Sequence, residues 1–147
     1  MTTAAGYYAI GILSAVMPWV NAEILMLSAI PVAGSRQALA ALVLAVSAGQ
    51  MTGKAGAYWM SRRSARPQSP RVQQALDRWR TRLERRPASA LLITFVSALV
   101  GFPPFFVVSM AAGTLKVAFG QFMAIGSAGR LIHFALVAFL PELLRRA

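Results

Sequence analysis

Apolar residues in this chain come in blocks that prolines and glycines cut apart. Residues 4–17 form one apolar stretch and residues 22–33 another, with Pro18-Trp19-Val20-Asn21 between them. Pro18 cannot donate a backbone N–H and clashes with the preceding turn, so a helix arriving there is expected to stop or kink. Asn21 is a good N-cap for a second helix over residues 22–30. Pro31, Gly34 and Ser35 then read as a turn. At about 1.5 Å per residue each stretch is roughly 20 Å long, short of a hydrocarbon core of about 30 Å. A re-entrant hairpin fits this pattern, and a single kinked span through Pro18 is the alternative.

Residues 37–59 are long enough to span. Gln50, Lys54 and Tyr58 recur every fourth residue and so share one face. Gly49, Gly53 and Gly56 offer a small-residue surface for close helix approach, compatible with a homodimer. Lys54 is expected either at a site or snorkelling from near the helix end to the interface. Further on, residues 88–100 are apolar, Gly101-Phe102-Pro103-Pro104 interrupts, and residues 105–112 form a second leg ended by Gly113. Pro104 suits the first position of that leg. Residues 115–140 predict a second span carrying Gly126, Gly129, Arg130 and His133, and Pro141-Glu142 and Arg145-Arg146 follow at an interface.

Between the apolar blocks, Val72, Leu76, Trp79 and Leu83 recur at spacings of 4, 3 and 4, which predicts a helix over residues 71–86. Arg71, Arg78, Arg82 and Arg85 fall away from that stripe. Trp on one side and Arg on the other is the pattern of a helix lying in a membrane interface.

Charge sharpens this division. The 147 residues carry a formal net charge of +11, and residues 62–86 hold nine arginines against Asp77 and Glu84. A basic balance suits nucleic acid or an anionic lipid surface. Here the basic helix is tethered between apolar blocks, so lipid phosphate is the nearer anion and no nucleic-acid partner is expected. Positive charge in a short connector places it in the cytoplasm. The chain is 57% hydrophobic, well above a typical soluble domain. Residues 1–10 carry no charged side chain, so a cleavable signal is not expected there.

The two apolar blocks match each other. Ser14-Ala15-Val16-Met17-Pro18 reads like Ser97-Ala98-Leu99-Val100 followed by Pro103, and Ala33-Gly34 answers Ala112-Gly113. Gly53-Lys54, four residues before Tyr58, answers Gly129-Arg130, four before Phe134. The expected fold is therefore all-α: a polytopic membrane protein built as an inverted repeat of a re-entrant helix hairpin plus one transmembrane helix. Residues 1–147 form a single membrane domain, with repeat one over 4–63, a basic amphipathic connector over 64–87 and repeat two over 88–146. In such architectures broken helices meet near the midplane to form a substrate site.

With Pro18 and Asn21 beside Glu23, a Gly-rich span holding Gly49, Gly53, Tyr58 and Arg62, and a second break at Pro103 and Pro104 followed by Ala112 and Gly113, the chain resembles the DedA family. That family is also called SNARE-associated or VTT-domain. Phe119, Phe122, Gly126, Gly129 and Arg130 extend the resemblance over nearly the whole chain. The run from Ser97 to Phe106 lacks the arginines of the main branch and looks like a short YqaA-type branch. The resemblance implies a multi-pass protein of the bacterial cytoplasmic (inner) membrane that moves lipids between leaflets, undecaprenyl phosphate or a phospholipid among them.

Candidate chemistry centres on Glu23, the only acid in residues 4–33. A carboxylate in apolar surroundings is expensive and points to function. Alternatively, the helix terminus alone satisfies it. Asn21 and Pro104 head two half-helices whose positive ends point inward, and Lys54 and Arg130 add cations at matching positions. This surplus suits a phosphate headgroup. Phosphate would compete with Glu23 for a basic partner, and the displaced carboxylate would take up a proton, which makes proton coupling an open expectation. His133 lies on the face of Arg130, either relaying protons or bonded within the packing. The other open reading is a non-transporting scaffold that binds anionic lipids or a partner through the Arg-rich connector. Without cysteine, one His cannot complete a zinc site. No phosphate loop or nucleophile elbow is present, so neither a cofactor nor an enzymatic activity is expected.

Overall fold

The computed structural model describes residues 2–17, 21–64 and 70–144. These residues form seven helices: α1 (Thr2–Val16), α2 (Ala22–Val32), α3 (Arg36–Ser64), α4 (Pro70–Arg85), α5 (Pro87–Val100), α6 (Phe105–Thr114) and α7 (Phe119–Leu144). The protein is all-helical among the described residues. Two helices, α3 and α7, are long and apolar enough to cross a membrane, while α1, α2, α5 and α6 are short apolar helices.

The breaks fall where local chemistry demands them. α1 ends at Val16 and α2 begins after Asn21, so the first interruption brackets Pro18, which itself lies outside the described residues. α5 ends on Gly101, whose φ of 82° is the left-handed conformation that glycine adopts without strain. Pro104 caps α6 one residue earlier than the expected first helical position. Three boundaries differ from expectation. α2 carries Pro31 inside it, because a proline near a helix end forfeits one bond of an already short ladder. α3 runs from Arg36 to Ser64, extending at both ends because nothing there breaks a helix. α7 begins at Phe119 after a turn at residues 115–118 and continues through Pro141.

Packing follows a reciprocal scheme. α3 packs along α1 and also receives α6. α7 packs along α5 and also receives α2. Each long helix therefore holds the first short helix of its own half and the second short helix of the other half. Glycines set the close approaches. A Cβ on Gly53 would meet the Ala15 Cβ at 2.4 Å and the Ile12 carbonyl oxygen at 3.0 Å. A Cβ on Gly129 would meet the Ala98 Cβ at 2.7 Å and the Phe95 carbonyl oxygen at 3.0 Å. The two contacts correspond residue for residue, alanine and the carbonyl three positions before it. Gly49 likewise lies against the Tyr8 carbonyl. Most of the small-residue face expected to join two copies is thus occupied by α1 within the chain.

Two apolar cores result. One gathers Met26, Ala29, Leu42, Val46, Phe134 and Ala138, and the other Met51, Tyr58, Ala98, Phe105, Ala112 and Phe122. Outside them, large apolar side chains face outward, including Leu13, Val16, Ile24, Leu44, Leu92, Val100, Phe102, Val107 and Leu136. Apolar surface on this scale is costly in water and is compatible with a membrane or protein contact. α4 has the expected extent within a residue, and Arg78 and Arg85 on it are exposed. The side chains of Arg71, Trp79 and Arg82, and those of the expected apolar stripe, lie outside the described residues.

Candidate functional site at the helix breaks

Asn21 adopts extended backbone geometry and its Oδ1 accepts hydrogen bonds from the Glu23 N–H at 2.8 Å and the Ile24 N–H at 3.4 Å. This satisfies two of the amides left free at a helix start. Ala22, Met26 and Ala29 face inward. Glu23, about 100° round the helix from Ala22, is turned to the edge. Its side chain is 54% exposed, so the expected enclosed carboxylate is instead at the rim.

The rim position still gives Glu23 a partner. Its Oε1 lies 3.2 Å from Nε2 of His133 on α7, within ion-pair reach but off the line of a hydrogen bond. His133 Nδ1 is 2.7 Å from the Leu99 carbonyl oxygen. A carbonyl only accepts, so Nδ1 carries a proton.

Lys54 is the second centre. It is buried at 5% exposure, ten residues before the end of α3, so it does not snorkel to the interface. Its Nζ donates to the Ala15 carbonyl oxygen at 2.7 Å. That oxygen belongs to the last turn of α1, where carbonyls lack helical partners. His133 does the same for Leu99 in the last turn of α5. At both breaks, then, a basic side chain from the long helix of the same half caps the negative end of the incoming short helix. Gln50, buried on the Lys54 face, donates to Ser14 at 2.9 Å and adds a second tie to the end of α1.

Arg130 brings the two halves together. Its Cζ stands 5.1 Å from the Phe105 ring centroid and 5.8 Å from that of Phe134. Lys54 Nζ lies 5.9 Å from the same Phe105 ring and 5.3 Å from Phe106. The two cations thus converge on the first residues of α6. Arg130 Nε is buried without a hydrogen-bond partner. A guanidinium over aromatic faces gains attraction to the rings but leaves its donors open.

The structure gathers Asn21, Glu23, Lys54, Arg130 and His133 around the two helix interruptions. Pro103 and Pro104 are exposed beside them, and the Pro103 carbonyl accepts from the Ser97 hydroxyl. Arg78 and Arg85 belong to α4 and take no part. Phe105 and Phe106 were not singled out from the sequence as platforms for the cations. Their place directly after Pro103-Pro104, at the start of a half-helix, was the available signal. The carbonyls of Ala15 and Leu99 left no trace in side-chain chemistry.

No family model, no curated protein and no solved structure matches this chain.

Proposed function

We propose that this chain is a bacterial inner-membrane carrier that moves a lipid through its phosphate headgroup, undecaprenyl phosphate or a phospholipid, as its resemblance to the DedA family implies. The reciprocal packing of α1, α3 and α6 against α5, α7 and α2, with matched Gly53–Ala15 and Gly129–Ala98 contacts, supports an inverted repeat with re-entrant hairpins. The single observation that carries the reading is the convergence of Lys54 and Arg130, one from each half, on the Phe105 ring at the start of α6. Two cations, one with a buried donor lacking a partner, together with a helix N-terminus, form a natural cradle for a phosphate oxygen.

Glu23 belongs at the mouth of that cradle rather than at its centre. There its contact with His133 joins α2 to α7, and coupling of transport to protons at this pair is part of the proposal.

Flipping of a fluorescent phospholipid in liposomes containing the full chain tests the proposal. Glu23→Gln and Arg130→Ala should each slow flipping at least about tenfold, the cost of losing one charge-assisted contact. Wild-type rates in both variants would remove the basis for it.

A further inference from the structure

A groove of about 340 Å³ opens where α4, the start of α5 and the linker between α6 and α7 meet, away from the helix-break site. Arg80, Glu84, Lys116 and Gln121 supply its polar lining, and Leu91 and Val117 are among its apolar walls. Lys116 is held in a defined place. Its φ is 57°, its N–H donates to the Gly113 carbonyl at 3.1 Å, and the next N–H, of Val117, donates to Ala112 at 3.0 Å. Arg80 reaches Asp77 only at 3.8 Å, and its Nε is buried with no hydrogen-bond partner. Ala118 and Gln121 bring the first turn of α7 to the same groove, with no acidic side chain in that turn to occupy its amides.

The level of the groove is fixed by its neighbours. The Tyr58 hydroxyl donates to the Val117 carbonyl, and Arg62 donates to that hydroxyl at 2.6 Å. Arg62 and Arg63 both stack on the exposed Trp59 ring, 5.5 and 6.0 Å from its centroid. Trp with arginine at the end of a long apolar helix marks the headgroup layer of a bilayer. From the groove, α5 runs on with Leu92, Ile93 and Val96 facing outward.

We infer that this groove seats the headgroup of a glycerophospholipid, its phosphodiester between Arg80 and Lys116 and its acyl chains along the outer face of α5. Glu84 restricts the choice. A carboxylate in the lining repels a second negative charge, so a phosphodiester with one charge is favoured over a phosphomonoester with up to two. This lipid is a resident of the interface and not the transported cargo. The inference rests on the membrane reading but not on transport.

The test uses the full chain in detergent, titrated with dioctanoyl phosphatidylglycerol and, separately, dioctanoyl phosphatidic acid. Lys116→Glu should weaken phosphatidylglycerol binding about tenfold and leave flipping in liposomes unchanged. Glu84→Gln should raise phosphatidic acid binding relative to phosphatidylglycerol, a gain that misfolding cannot produce. Unchanged phosphatidylglycerol binding in Lys116→Glu would overturn the inference, as would loss of all of that binding in Arg130→Ala, which would assign the lipid to the helix-break site alone. Glycerol 1-phosphate competing as well as the lipid would mean that a free phosphate ester is the ligand, and would also overturn it. A chain released from membranes by carbonate would instead overturn the membrane reading itself.

Discussion

His133 Nε2 lies 3.2 Å from Glu23 Oε1, and this contact ties the short helix α2 to the long helix α7. The same imidazole caps Leu99, so one side chain senses both helix interruptions. Glu23→Gln replaces the carboxylate with an uncharged amide, and Glu23→Ala removes the contact altogether. Flipping should fall at least about tenfold in both. Liposome rates would show it, and full flipping in Glu23→Ala would take the α2–α7 contact out of the transport path.

Lys54 offers a cleaner separation of fold from function. Its ammonium is buried with one carbonyl and two ring faces for company. A buried charge with so little compensation contributes little to stability and often opposes it. Lys54→Met keeps the length of the side chain and removes the charge. Relief of the buried charge and loss of the donor to the Ala15 carbonyl oppose each other, so thermal unfolding in detergent should move little, while flipping falls at least about tenfold. Full flipping in this variant would exclude Lys54 from the headgroup path.

The glycines divide sharply into two groups. Gly49→Ala and Gly53→Ala place a methyl within 2.2 Å of the Tyr8 carbonyl oxygen and 2.4 Å of the Ala15 Cβ. Each should cost about 1–3 kcal/mol through overpacking. Gly129→Ala, the counterpart of Gly53→Ala, should behave alike. Gly56 lies in the same helix with nothing within 4 Å of an added Cβ. Gly56→Ala should therefore stabilise by about 0.4–1 kcal/mol. Chemical denaturation in mixed micelles would rank the four, and a destabilising Gly56→Ala would contradict the open space at Gly56.

Tyr58→Phe removes one hydroxyl that serves both Val117 and Arg62. The ring remains stacked on Phe122 at 5.3 Å, so packing is preserved. The loss should be about 1–3 kcal/mol, the cost of leaving a partly buried carbonyl without its donor. A drop in the unfolding midpoint without a change in flipping would fit a structural role for this tie.

Sequence and structure divide the molecule between them along a physical line. The two interruptions, the N-cap at Asn21 and the two long helices were all legible beforehand. Proline, asparagine and glycine act on their own backbone within a turn, so their effect needs no knowledge of the rest of the chain. Glu23, Lys54, Arg130 and His133 stood out as candidates too, because an ionisable group in an apolar run is conspicuous. What each of these groups touches was not. Helices that are apolar on every side carry no periodic sign of which face is inside, so rotation about the helix axis is left to packing. Tertiary structure alone turned Glu23 to the rim, buried Lys54 against Ala15, filled the Gly49–Gly53 face with α1, and put α6 of one half and α2 of the other onto opposite long helices. Those outcomes depend on glycine-sized gaps meeting alanines and carbonyls across the interface, a fit between surfaces far apart in the chain.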